Sequence, residues 1–293
     1  MDRLGQWWHR RAKMMYLRQM SGNDLDFAID LTTTEGWSST KRDFEELLEY
    51  DPMSCFIGEI NAEPIGMVCT ASYGKFGFIG NLIVSESCRG QECGYGLMKH
   101  AIEYLHAHNA QSILIDAVPR AETLYKRLGF RRLYRSLRLE GIVPSDVAKG
   151  VRRMMPEDIS SVSALDASLF GGIREHFLKK RFEAFPELAK VLEIDGKIQG
   201  YIMGSKNDKS VRVGPWAMSK RYQQADQLLL GLAQSASKNP LKVGVLDKNR
   251  DALQILHRHG FNEVSFSWRM LWGEDTEATL SDGLYAIYSP DRG

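Results

Sequence analysis

The sequence predicts an α/β protein built from two tandem copies of one mixed α/β unit. Three observations carry that reading. Apolar runs of strand length alternate along the chain with amphipathic stretches of helix length, as in strands and helices packed in layers. Short motifs recur at a fixed offset of 134 residues: Leu17-Arg18-Gln19-Met20 with Asp24 returns as Val151-Arg152-Arg153-Met154 with Asp158. Glu59-Ile60-Asn61 with Gly66, and Ile79-Gly80 with Ser85, return as Glu193-Ile194-Asp195 with Gly200, and Val213-Gly214 with Ser219. Asp116, Ala121 and Gly129-Phe130 return as Asp247, Ala252 and Gly260-Phe261, now 131 residues on. Finally, 293 residues are comfortable for two domains. Matches on one diagonal mark a duplication with a seam near Gly141 to Gly150, giving units 1–143 and 144–293.

Each unit reads alike. A strand over Met15–Met20 leads to a helix over Asp24–Thr33 and then to a second helix, for which Thr40 and Asp43 form a capping pair. A hairpin follows, Cys55–Ile60 and Ile65–Ser72, turning at Asn61–Pro64; its counterpart turns at Asp195-Gly196. A short central strand, Leu82-Ile83-Val84, precedes a polar turn. The next helix keeps Leu97, Met98, Ala101, Ile102 and Leu105 on one face. Strand Ser112–Ala117, helix Ala121–Leu128 and a final strand pair around Leu133–Leu139 close the unit.

Composition narrows the function classes. With 43% hydrophobic and 26% charged residues, the chain can bury sizeable cores. Its 38 basic and 37 acidic residues give no electrostatic case for nucleic acid or an anionic membrane as partner. No apolar run approaches the roughly 20 residues that a membrane span needs. The stretch Met1 to Met15 lacks the apolar core of a secretory signal and reads as an extension before the first strand. Cys55, Cys69, Cys88 and Cys93 match no metal spacing and read as free thiols in a reducing compartment, the cytoplasm. His106 and His108, like His257 and His259, are two residues apart on helical stretches, the wrong spacing for sharing a metal, so none is expected.

The stretch from Asn81 to Leu97 is the chemically suggestive one. A glycine-bearing loop between a strand and a helix start leaves backbone N–H groups unpaired at the positive end of the helix dipole, a seat for phosphate oxygens. Gly94 and Gly96 allow an anion to reach the main chain. Glycines serving only tight packing are the competing reading. Cys93, at the helix start, stands where a thiol pKa is lowered. The second copy has no such loop. Between Ser85 and Leu97 lie eleven residues, but between Ser219 and Leu228 only eight, none of them glycine.

Gln91-Glu92-Cys93-Gly94-Tyr95-Gly96, preceded by Arg89-Gly90 and Val84, resembles the pyrophosphate loop of the GNAT superfamily of N-acetyltransferases. Glu92 stands where many members have glycine and fits only if it points outward. The resemblance implies a splayed central sheet in each copy and acetyl-CoA as co-substrate. It implies pantetheine along Leu82, Ile83 and Val84, and pyrophosphate at Arg89 to Leu97 (Arg89, Gly90, Gln91, Glu92, Cys93, Gly94, Tyr95, Gly96 and Leu97). Leu124-Tyr125-Lys126-Arg127-Leu128-Gly129-Phe130 is similar to the family's acid-bearing segment. That similarity makes Tyr125 the general acid for the departing thiolate, with half-buried packing as its alternative. Leu256 replaces Tyr125 in the second copy, which resembles the degenerate C-terminal half of a two-domain subfamily and is expected to bind no CoA.

The acceptor implied by the resemblance is an amine, expected to be a small molecule. Glu35-Gly36-Trp37 falls in the loop that shapes the acceptor pocket, with Trp37 either a pocket wall or a core anchor. Asn81 is the polar side chain on the central strand; the base is not assigned, and Glu35, Glu59 and Asp116 acting through water are all open. A non-catalytic acyl-CoA sensor with a regulatory or dimerising second copy is the competing function, and a homodimer is compatible with either.

Overall fold

Local chemistry sets the starts and turns of the elements. The computed structural model describes residues 15–144, 147–207, 209–237, 239–275 and 282–293; nearly all of the amino-terminal extension lies outside the described residues. The first copy runs β1 (Tyr16–Gln19), α1 (Leu25–Thr34), α2 (Lys41–Tyr50), β2 (Cys55–Ile60), β3 (Glu63–Ser72), β4 (Phe76–Val84), α3 (Cys93–Ala107), β5 (Ser112–Ala117), α4 (Glu122–Arg127) and β6 (Arg131–Gly141). The second repeats the order: β7 (Val151–Arg153), α5 (Ile159–Phe170), α6 (Glu175–Ala184), β8 (Lys190–Ile194), β9 (Lys197–Lys206), β10 (Val211–Met218), α7 (Ala225–Ser235), β11 (Leu241–Leu246), α8 (Arg250–Arg258) and β12 (Asn262–Gly273). A short β13 (Leu284–Ala286) has no counterpart in the first copy.

The capping pair forms as expected: Asp43 Oδ2 accepts the Thr40 N–H at 2.8 Å, and Thr40 Oγ1 accepts the Asp43 N–H at 3.4 Å. The first hairpin turns at Asn61 and Ala62, whose φ angles of 54° and 62° give the primed turn, and Pro64 already lies in β3. The duplicated residues also make the same ion pairs. Arg18 binds Asp24 at 2.7 Å and Glu59 at 2.6 Å; Arg152 binds Asp158 at 2.6 Å and Glu193 at 2.8 Å.

The end of the first copy differs from expectation. No strand pair forms around Leu133–Leu139; β6 is one strand of 11 residues. The segment Arg131–Glu140 offers no glycine, proline, asparagine or aspartate on which a hairpin could turn, so the chain runs straight through. Its neighbours come from the other copy. The sheet order is β1-β2-β3-β4-β5-β12-β6-β11-β10-β9-β8-β7, with β13 beside β10. The copies thus trade last strands: β12 fills the place beside β5, and β6 lies between β12 and β11.

At the exchange the side chain of Asp116 of β5 is fully buried. It accepts hydrogen bonds from Arg269 Nε of β12 at 2.5 Å, Arg138 Nη2 of β6 at 3.2 Å and Ser136 at 2.8 Å. Burial disfavours its charge, but the two guanidiniums outweigh that and hold the carboxyl below the usual range. A shared core completes the union: Phe44 and Leu47 of α2 pack in one cluster with Phe170 of α5 and Phe177 and Leu178 of α6. On the opposite face, Leu97, Met98, Ala101 and Leu105 of α3 cover Ile79, Ile113 and Ile115. Among the described residues no helix is long and apolar enough to cross a membrane.

Replacing Asp116 by asparagine strands buried Arg269 and half-buried Arg138 and is expected to cost about 3–5 kcal/mol in denaturant unfolding. The parent's contribution from this carboxylate is present above the unfolded-state pKa of about 4 and is lost as pH falls through the lower folded value. The gap between parent and Asp116→Asn should therefore close in acid, measurable by unfolding curves between pH 7 and 3.

Candidate active site

β4 and β5 run parallel but pair only from Phe76–Phe78 to Ser112–Leu114. Beyond Phe78 they diverge, and the rest of β4 is paired on its β3 side. There Gly80 faces Cys69 and Ile83 faces Met67, so Asn81 and Leu82 form a bulge, with Asn81 at a φ of 52°. A bulge of this kind kinks the strand away from its parallel neighbour. The opening is a cleft of about 440 Å³, walled by β4, the start of α3, the end of β5 and α4.

Most of the predicted residues meet there. Leu82, Ile83 and Val84 line one wall, Arg89, Gly90, Glu92, Cys93, Gly94 and Tyr95 the far end, and Trp37, Asn81 and Tyr125 the remainder. Three do not reach its surface. Gln91 points outward and donates to the Ser87 carbonyl at 2.8 Å, Leu97 is buried in the core beneath α3, and Gly96 faces Met15, whose Cε would lie 2.8 Å from an added Cβ. Gly96 is a packing glycine here.

At the head of α3, helical geometry leaves the N–H groups of Cys93, Gly94 and Tyr95 without intrahelical acceptors; the bond of Gly96 to the Glu92 carbonyl, at 3.0 Å, is the first. Gly90 has a φ of 72°, a left-handed conformation that favours glycine. The Glu92 carboxylate is bound by Arg127 at 2.8 Å, which pairs its charge, and Arg127 also lies over the Tyr95 ring. Arg89 is already engaged, with Nε on the Val84 carbonyl at 3.1 Å and Nη2 on Glu35 at 2.5 Å. Arg120 holds the other oxygen of Glu35. Arg120 and Arg127 line the cleft and escaped the sequence reading; an arginine in each flank of the tyrosine segment was the available signal.

Tyr125 is buried, edge-on to Phe130, and desolvation pushes its phenol up to about 12. It therefore stays protonated at neutral pH. Trp37 lines the cleft while packing against the shared core. The lowered thiol pKa expected of Cys93 is overturned: burial, reinforced by Cys88, pushes it up. All four cysteines are free thiols. Among the described residues no group of three or more metal-ligating side chains converges.

The second copy presents the same divergence, but filled. β10 and β11 pair from Val211–Val213 to Leu241–Val243, and then β13 enters between them. Trp216 faces Ala286, and the Ile287 N–H donates to the Gly244 carbonyl at 2.9 Å. The strand edge that lies open on β4 is occupied on β10 by the protein's own chain.

A splayed parallel pair with a helix N-terminus at its open end and a buried phenol on its wall defines a class of acyl-transfer fold, and comparison with known proteins agrees. The chain belongs to the GNAT acetyltransferase family: the Acetyltransferase (GNAT) family model matches residues 25–130, and an Acetyltransferase (GNAT) domain model matches residues 162–286. It is an acyltransferase. It is 25% identical over 247 residues to holothin acyltransferase of Pseudoalteromonas sp. (strain SANK 73390), covering 83% of each chain. Its fold is similar to that of a putative acetyltransferase from Pyrococcus horikoshii, with a TM-score of 0.82 and 22% identity over 100% of this chain and 99% of that one. A tandem GNAT protein from the clavulanic acid biosynthesis pathway is also similar in fold, with a TM-score of 0.60 and 12% identity over 90% and 99% of the two chains.

An added Cβ at Gly94 would meet Leu124 and Val84 at 3.5 and 3.7 Å, ordinary contacts that the fold can carry, while filling space at the helix head. Gly94→Val should therefore leave the thermal midpoint within a few degrees of the parent, yet weaken CoA binding by about tenfold or more in calorimetry. Unchanged affinity would remove the helix head as the anion seat.

Proposed function

We propose that the protein is an N-acetyltransferase that moves the acetyl group of acetyl-CoA to a primary amine by direct attack, with Tyr125 as general acid. The observation that carries this reading is the meeting, in one cleft, of the open edge of β4, the unpaired amides at the head of α3 and a buried phenol held protonated. The amides of Cys93, Gly94 and Tyr95 are suited to pyrophosphate oxygens, and at the rim Arg89, Arg120 and Arg127 outnumber by one charge the Glu35 and Glu92 carboxylates that they hold. Past Phe78 no strand among the described residues pairs with β4 on its β5 side, and that edge, apart from the Val84 carbonyl held by Arg89, can pair with the amide-bearing pantetheine as a neighbouring strand would. That arrangement directs an N–H of β4 at the thioester oxygen, where negative charge develops.

As the amine's C–N bond forms, the C–S bond breaks, and the sulfur takes its proton from the Tyr125 hydroxyl. A phenol near 12 is fully protonated at neutral pH and can therefore donate to the sulfur as negative charge develops on it. The filled divergence of the second copy supports a single donor site per chain, with the second copy serving to close one side of the first. Retention of a buried acid beside an open strand edge favours catalysis over the sensor reading.

Tyr125→Phe should lower kcat by about 10²–10⁴-fold while donor affinity holds, followed as CoA release against a panel of primary amines. Calorimetric titration of the parent should saturate at one CoA per chain. Two CoA molecules, or a phenylalanine variant as fast as the parent, would count against the scheme.

A further inference from the structure

The acyl-transfer reading leaves the acceptor's proton without a destination, because the carboxylates suggested by sequence are engaged. Glu35 is clamped by Arg89 and Arg120, Glu59 is paired with Arg18, and Asp116 is enclosed by Arg138 and Arg269. We propose that Asp291, carried into the first copy by the segment after β13, is the group that binds the acceptor ammonium and takes its proton. This inference rests on the acyl-transfer reading above.

The segment is fixed in place. Arg292 is buried and paired with Glu46 at 3.0 Å and Asp43 at 3.5 Å; the Tyr73 hydroxyl donates to the Arg292 carbonyl at 2.9 Å, and Arg174 to that of Gly293 at 2.6 Å. These contacts lay Asp291 across β4. A Cβ built on Gly80 would sit 2.2 Å from the Cβ of Asp291, so the aspartate occupies the space that a side chain at position 80 would take. Gly80 has no side chain of its own, and another part of the chain supplies a carboxylate in its stead.

The face is the appropriate one. Ile79 packs under α3, on the side of the anion seat, whereas Phe78 packs in the core shared with α1 and α2. Strand alternation then puts Gly80, and Asp291 over it, on the face opposite α3. With the donor held from the α3 side, a nucleophile reaches the thioester carbon from the other. Gly80 and Asn81 both line the cleft, and Asn81 Nδ2 donates to Asp291 Oδ2 at 3.1 Å.

The carboxylate retains capacity. Asn81 and Arg292 Nε, also at 3.1 Å, both bind Oδ2, and among the described residues Oδ1 accepts no hydrogen bond. Asp291 does not itself line the cleft, but its side chain is 13% exposed and lies against Gly80 and Asn81, which do. The charged and titratable groups facing it are the Arg292 guanidinium, the Cys69 thiol and the Tyr73 phenol. Asp291 thus offers one free oxygen to an ammonium.

The step balances. R–NH₃⁺ gives one proton to Asp291; the freed lone pair forms the C–N bond as the C–S bond breaks, and sulfur takes the Tyr125 proton. The second N–H proton lost on amide formation restores the phenol, and Asp291 releases its proton to solvent. One amide, one free CoA thiol and one proton result.

The test compares the full-length parent with Asp291→Asn, an isostere whose Oδ1 can still accept from Asn81 and Arg292. CoA release is measured with a panel of primary alkylamines from pH 6.5 to 10, with CoA affinity measured by calorimetry. The expected result is a loss of about 10²-fold or more in kcat/KM for the amine at pH 7, unchanged CoA affinity, and partial recovery near pH 10, where the amine arrives already neutral. Equal kcat/KM at pH 7 overturns the assignment. So does a parallel loss of CoA affinity or of thermal stability, which would make Asp291 a strut. A parent that binds acetyl-CoA yet acetylates no amine refutes the amine-transfer reading itself, and Asp291 falls with it.

Discussion

The exchange of last strands, locked by one buried carboxylate, is the constraint on which the rest of the molecule depends. Asp116 sits between Arg138 and Arg269, one from each traded strand, in a setting where removing a single partner leaves uncompensated charge out of water. A duplication joined end to end would leave two sheets free to move as domains do. With β12 beside β5 and β6 beside β11, neither copy completes its sheet alone. The shared core of α2, α5 and α6 reinforces the union from one face.

The exchange has a consequence at the far end of the chain. Because β12 finishes beside β5, the residues that follow it start within the first copy's half of the sheet. By Leu284 the chain lies between β10 and β11, and by Asp291 it has returned to β4. One short segment therefore fills the divergence of the second copy and brings side chains to the first. Two parallel pairs with the same geometry meet different fates: one edge is paired by the protein and the other lies open. An unpaired strand edge is a site for an extended amide-bearing ligand only while nothing else satisfies it.

The end of the cleft at the head of α3 was legible because its pattern is local. Glycine spacing at a helix start, the strand before it and the tyrosine of a short helix are all properties of contiguous residues, and the structure brings Val84, Gly94 and Tyr125 to one cavity. Gly96 and Leu97 were drawn in by the same local pattern, which cannot tell a glycine facing a ligand from one facing Met15. Cys93 was misread for a related reason: the helix head lowers a thiol pKa only where water or charge reaches it, and burial prevails here. Arg120 and Arg127 were marked in the sequence only by standing either side of Tyr125, which does not tell which way they face.

The sequence by itself determined the α/β class, the duplication, the order of elements up to β6, the capping of α2, the hairpin turns and the glycine-bearing loop before α3. Each rests on periodicity, turn chemistry or motif recurrence over a few residues, and such information survives without knowing what packs where. Only the tertiary structure decided the strand exchange, the engagement of Glu35 and Asp116 by arginines, the filling of the second divergence by β13 and the placement of Asp291 over Gly80. Asp291 and Asn81 lie 210 positions apart, and their pairing depends on every layer of packing between them. No local signal can encode a contact whose two halves are brought together by the closure of the whole sheet.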